Sequence, residues 1–67
     1  MDVIKIIEVI ATSAISFDDA VKQGVKEVSE TIPNIDSVYI KDWKVHVKDG
    51  EIVTYGVVCK VSFRLPD

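Results

Sequence analysis

With a single cysteine, Cys59, the chain cannot close a disulfide within itself, and with a single histidine, His46, it has no pair of ligands at zinc spacing. Both common staples of small domains are therefore missing. Basic residues are in the minority, with a formal net charge of −3 and a pI near 4.9, so no basic patch argues for nucleic acid. Long hydrophobic runs are also lacking. The apolar stretch Val3 to Ala11 is interrupted by Lys5 and Glu8 and is too short to span a bilayer, which leaves no membrane partner or targeting segment to expect and makes the cytoplasm the default compartment. There are no repeats, linkers or low-complexity segments, and residues 1–67 are expected to form one domain. A chain of that length buries only about 60% of its unfolded surface, so its folding is marginal alone. Cover from copies of the same chain is the remaining source of stability.

What is present is alternation. From Val53 to Leu65 every odd position is apolar: Val53, Tyr55, Val57, Cys59, Val61, Phe63 and Leu65. That is a strand with one buried face, on which Cys59 serves as a small hydrophobe. The even row, Ile52, Thr54, Gly56, Val58, Lys60, Ser62 and Arg64, is mixed and only partly suited to water. At about 3.3 Å per residue the strand runs roughly 40 Å, more than a chain of this size covers by itself.

Three further elements precede it. Val3 to Thr12 is rich in β-branched residues and reads as a first strand with two apolar rows, Val3, Ile7, Val9 and Ala11 on one face and Ile4, Ile6 and Ile10 on the other. Ser16, three residues before Asp19, marks a helix start, with Asp18 and Asp19 at the positive end of its dipole. Phe17, Ala20, Val21, Gly24, Val25, Val28 and Ile32 form its apolar row, and Pro33-Asn34 ends it. Gly24 inside that row implies close approach of helix to sheet. Ile35 to Val47 is a second strand whose apolar positions change parity, Val38 and Ile40 being even and Trp43, Val45 and Val47 odd, so a bulge is expected near Lys41-Asp42. Asp49-Gly50 then makes a two-residue type I′ hairpin. The fold class is α+β: a βαββ subunit with a three-stranded antiparallel or mixed sheet of order 1-3-2 wrapped on one helix.

No P-loop, HExxH, GxGxxG or nucleophile with its base is present, so a non-enzymatic role is expected. The first strand ending IEVIATS, the helix segment AVKQGVKEVSET, the NID at 34–36, the Asp-Gly turn and the closing KVSFRL at 60–65 together resemble the dodecins over nearly the whole chain. The resemblance implies a hollow homododecamer of 12 subunits binding or storing small molecules, with FMN or riboflavin as the family ligand and coenzyme A or metal ions in some members. It maps the flavin pocket onto Asp36, Ser37, Tyr55 and Gly56, with Lys44 and Arg64 at basic positions that meet phosphates. Two positions depart from the family pattern. Ser37 stands where a ring-stacking tryptophan is expected, and Gly56 where a glutamine bonds the ring edge. The missing stack and amide together amount to about 2–4 kcal/mol, roughly thirty- to a thousandfold in flavin affinity. Trp43 lies about 20 Å from Ser37 along the strand, too far to replace the platform, and is expected to anchor a core or subunit interface. The alternative reading is a cation-binding, calcium-type or purely structural assembly using Asp36, Asp42, Asp49 and Glu51 at symmetry axes.

Overall fold

The β-branched stretches form strands and the capped amphipathic segment forms the helix. In a computed structural model describing residues 3–66, the order is β1 (Ile4–Ser13), α1 (Phe17–Ser29), β2 (Ile35–Lys48) and β3 (Glu51–Arg64). The sheet has the order β1-β3-β2 and both pairings are antiparallel.

The helix begins as its sequence dictates: the Ser16 hydroxyl accepts from the backbone N–H of Asp19 at 2.9 Å. Buried Ser13 ties the strand end to this cap, donating to Asp19 Oδ2 at 2.6 Å and accepting from the N–H of Ile15 at 2.9 Å. The helix ends earlier than the Pro33-Asn34 signal suggests. Its last residue is Ser29, after which the N–H groups of Thr31 and Ile32 both return to the Val28 carbonyl, and Asn34 takes a left-handed φ of 62°. Pro33 disfavours helical geometry at Ile32, so the chain leaves the helix before reaching it. Ile32 still packs on the core from outside the helix.

Asp49 and Gly50, at φ 52° and 78°, supply the two positive angles that a type I′ turn requires. Along β2 the register shifts between Ile40 and Asp42, leaving Lys41 as the extra residue of a bulge. Two more shifts occur. Asp36 is extra between Ile35 and Ser37, and Val53 of β3 is extra near the hairpin. The first two shifts place Ile35, Val38, Ile40, Trp43 and Val45 on the face that meets α1, although their numbers change parity twice.

Helix and sheet enclose a thin core of Ala20, Val28, Val57, Cys59 and Val61, flanked by Ile7, Val9, Ala11 and Phe17. A Cβ on Gly24 would stand 3.0 Å from the Ala11 Cβ, which confirms why glycine occupies that turn. A 13-residue helix is about 20 Å long, whereas a 14-residue strand runs about 46 Å. The apolar row of β3 therefore outruns its cover. Val53 and Leu65, expected inside, are 44% and 40% exposed.

Candidate functional site

The side of the sheet away from α1, here the outer face, carries the even residues of β1, those of β3 from Thr54 onward, and the residues opposite them on β2. Reading across β1, β3 and β2, its rows are Ile6, Ser62 and Ser37; Glu8, Lys60 and Tyr39; Ile10, Val58 and Asp42; Thr12, Gly56 and Lys44. Among the described residues no element packs on it. Ile4, Ile6, Ile10 and Tyr39 are about half exposed or more, and Lys41 crosses β3 to pair with Glu8 at 3.2 Å.

Five of the six residues expected at the ligand site lie on this face or its margin, in two groups. In the first, the hydroxyls of Ser37 and Ser62 are 2.9 Å apart, and Arg64 Nη2 stands 3.9 Å from Oδ1 of Asp36, the bulge residue. In the second, the Lys44 side chain lies over Gly56, so that a Cβ at Gly56 would meet Lys44 Cγ at 3.3 Å. Ser37 sits opposite Ser62 and Gly56 lies six residues back along β3, which separates the groups by about 20 Å. One copy does not unite them.

Tyr55 departs from the expected set. Its odd position turns it to the helix side, where its half-buried ring meets Phe17 edge-on with centroids 5.2 Å apart, so it does not share the outer face with Gly56. Trp43 joins the same cluster, perpendicular to Phe17 at 5.0 Å, yet remains 56% exposed. One side of its ring is in contact with Phe17 and the rest is open.

Residues around Gly56 that the sequence did not single out are Thr12, Thr54 and His46. The last two are joined, His46 Nδ1 lying 2.8 Å from Thr54 Oγ1. They are cross-strand neighbours, and only the register, including the Lys41 bulge, brings them beside Lys44. Among the described residues no group of three or more histidine, cysteine or acidic side chains gathers as a metal site, and no helix is long and apolar enough to cross a membrane.

A scan against protein families matches the dodecin family over residues 3–66. No curated protein matches. Among solved structures the chain is similar to a dodecin from Streptomyces davaonensis, with a TM-score of 0.94 and 27% identity over 98% of this chain and 97% of that one. A dodecin from Streptomyces coelicolor gives a TM-score of 0.94 and 27% identity over 98% and 94%. A calcium dodecin from Mycobacterium tuberculosis, described as a calcium-chelating antigen with a novel calcium-binding site, gives a TM-score of 0.83 and 28% identity over 96% and 91%.

Proposed function

The chain belongs to the dodecin family, and from that premise we propose that it assembles as a homododecameric shell that binds small molecules without transforming them. The observation that carries this reading is the outer face. It is broad, partly apolar and uncovered in one copy, and it keeps the two groups of residues that the resemblance assigns to a ligand site too far apart to act together. A second copy laid against it supplies both what the apolar rows need and the missing half of the site.

A flavin bound there meets Ser37 in place of an aromatic platform and Gly56 in place of an amide. FMN or riboflavin therefore binds weakly or yields to another ligand of similar size, and storage or buffering at modest affinity is the role that suits such a pocket. Lys44 and Arg64 are the cations that the resemblance offers to a phosphate, Arg64 being shared with Asp36. The absorbance spectrum of the purified protein, followed by titration of riboflavin fluorescence, tests this. Saturable quenching weaker than micromolar supports the reading; tight, stoichiometric quenching, or a protein strongly yellow as purified, contradicts the weakened pocket.

The likeness to a calcium dodecin supports a second reading, cation binding. No single copy gathers enough acidic ligands among the described residues, so such a site combines carboxylates of several copies; of Asp36, Asp42, Asp49 and Glu51, only Asp36 is engaged in an ion pair among the described residues. A colourless assembly whose melting temperature rises with calcium and falls with a chelator favours it.

A further inference from the structure

β1 is one edge of the sheet, and among the described residues no strand pairs with its open side. In an antiparallel ladder, successive pairs alternate between residues that exchange both backbone bonds and residues that exchange none. The N–H of Leu65 donates to the Val3 carbonyl at 2.9 Å, one pair beyond Ile4 and Arg64, so the odd residues of β1 turn their backbone groups toward β3. Ile4, Ile6, Glu8, Ile10 and Thr12 turn theirs outward. This edge lacks two common guards against a further strand, since its register with β3 is unbroken from Ile4 to Ser13 and it holds no proline. The opposite edge is different. There β2 bulges at Asp36 and Lys41, so its free donors and acceptors fall out of step with a straight partner. The straight edge that this chain offers to β1 is β1 of a second copy.

We propose that the β1 edges of two copies pair antiparallel about a two-fold axis beside Val9, joining two three-stranded sheets into one continuous sheet. The inference rests on the reading of the chain as an assembly of its own copies, and adds which surface joins a pair of them. Alternation and charge fix the register. Outward backbone groups must meet outward ones, so even residues pair with even. A centre on Glu8 would set two carboxylates directly opposite each other, and a centre on Ile7 or Ile10 leaves one end of each strand unpaired. A centre on Val9 pairs Glu8 with Ile10 and Ile6 with Thr12, runs from Lys5 to Ser13, and forms about eight backbone hydrogen bonds. On the helix side it sets Val9 against Val9 and Ile7 against Ala11, all half-buried in one copy. A cleft of about 340 Å³ lies there between β1 and α1, with Val9, Gly24 and Val28 in its lining and Glu27 as its one charged residue. Ile10 and Thr12 also line it although their side chains are on the other face, so it reaches the strand edge. Because α1 packs on β1 and β3 and scarcely on β2, strands about 4.8 Å apart bring the helices of the two copies to roughly 10 Å from each other, an ordinary packing distance.

Hydrogen exchange of the assembled parent, read by mass spectrometry on peptides from β1, tests the pairing without a substitution. Nearly all β1 amides should be protected, whereas a free edge leaves about half of them to exchange fast, and that result overturns the proposal. Ile10→Pro removes one outward N–H and keeps the bonds to β3, so by light scattering at micromolar concentration it should give a smaller mass than the parent, while Ile10→Val should not. An Ile10→Pro assembly as large as the parent overturns the proposal. Cross-linking reads the register, and keeps it testable should Ile10→Pro not fold. In a Cys59→Ala background, which removes the thiol opposite Val9, Val9→Cys places two thiols across the axis with Cα atoms about 4.5 Å apart, within disulfide reach. Diamide should link most of this variant into covalent dimers on a denaturing gel and leave Ile7→Cys in the same background largely unlinked. Failure of the Val9 link, or equal linking at Ile7, overturns the proposal. A parent that is itself monomeric brings down the assembly reading as well; an assembled parent without the Val9 link brings down only this one.

Discussion

The resemblance to the dodecins makes Ser37 and Gly56 the two positions expected to part from the family's ligand-binding pattern, and the structure gives each a local partner: a hydroxyl for Ser37 and a lysine stem for Gly56. Restoring the aromatic platform with Ser37→Trp should raise riboflavin affinity by roughly tenfold, the value of one base-sized stack. Combined with Gly56→Gln the gain should exceed tenfold but fall short of the sum, because the new amide must first displace Lys44. Fluorescence quenching reads both, and a double variant that binds no better than the parent contradicts the residue assignment. At Cys59 the side chain is 1% exposed and burial pushes its thiol above the ordinary range. The unfolded thiol therefore ionises first as pH rises, so Cys59 lets stability fall between the ordinary thiol pKa and the higher folded value, and contributes nothing to pH dependence below that window. Its modification by a disulfide reagent at pH 8 should proceed only as fast as the protein opens. Instant reaction in the native assembly would show that the core described here is not closed.

Among the elements, β2 is the one whose pattern carries the most information. Two polar residues in succession, Lys41-Asp42, between apolar neighbours mark the bulge that returns Trp43 and Val45 to the helix side, and the same signature at Asp36-Ser37 marks a second. Only the first was recognised in the sequence, since a single isoleucine before the second makes no row whose parity can be compared. The third shift, beside Val53, left no trace because Ile52 and Val53 are both apolar and both half exposed, with no inside and outside to contrast. Helix start, turn type and strand order were legible because each rests on local chemistry: a cap, a pair of positive φ angles, a short hairpin. The faces of Gly56, Arg64 and Tyr55 followed from alternation, which sets Tyr55 in the buried row, whereas the family pattern grouped it with Gly56 although neighbours along a strand point to opposite sides. Deleting Lys41 would turn one half of β2 over relative to the other, and we expect it to abolish the folded assembly, whereas Lys41→Ala should cost well under about 1 kcal/mol from an exposed ion pair. A deletion variant with native circular dichroism and mass would refute the bulge. Gly24→Val should destabilise by about 1–3 kcal/mol through overpacking against Ala11, readable as a lowered urea midpoint.

The whole molecule is too extended for its length. Its radius of gyration is 13.8 Å with extents of 52 × 20 × 13 Å, where a compact chain of this size has a radius near 11 Å. The excess is the β2–β3 hairpin, whose outer half carries Val47, Ile52 and Val53 beyond the reach of α1 and Trp43 at its edge, in contact with Phe17 yet more than half exposed, together with the open outer face bearing Ile4, Ile6 and Ile10. Both surfaces are left without cover in one copy. If a neighbouring subunit covers the open side of Trp43, then Trp43→Ala removes about 3–5 kcal/mol per copy and should shift the assembly toward smaller species or a lower melting temperature, with or without ligand. An equally stable assembly that has lost only ligand binding would move Trp43 into the site. The central claim, that this chain is completed by its own copies, is tested most directly by multi-angle light scattering at micromolar concentration. Twelve subunits of 7.5 kDa predict a single species of about 90 kDa, and a stable monomer of 7.5 kDa would contradict the account.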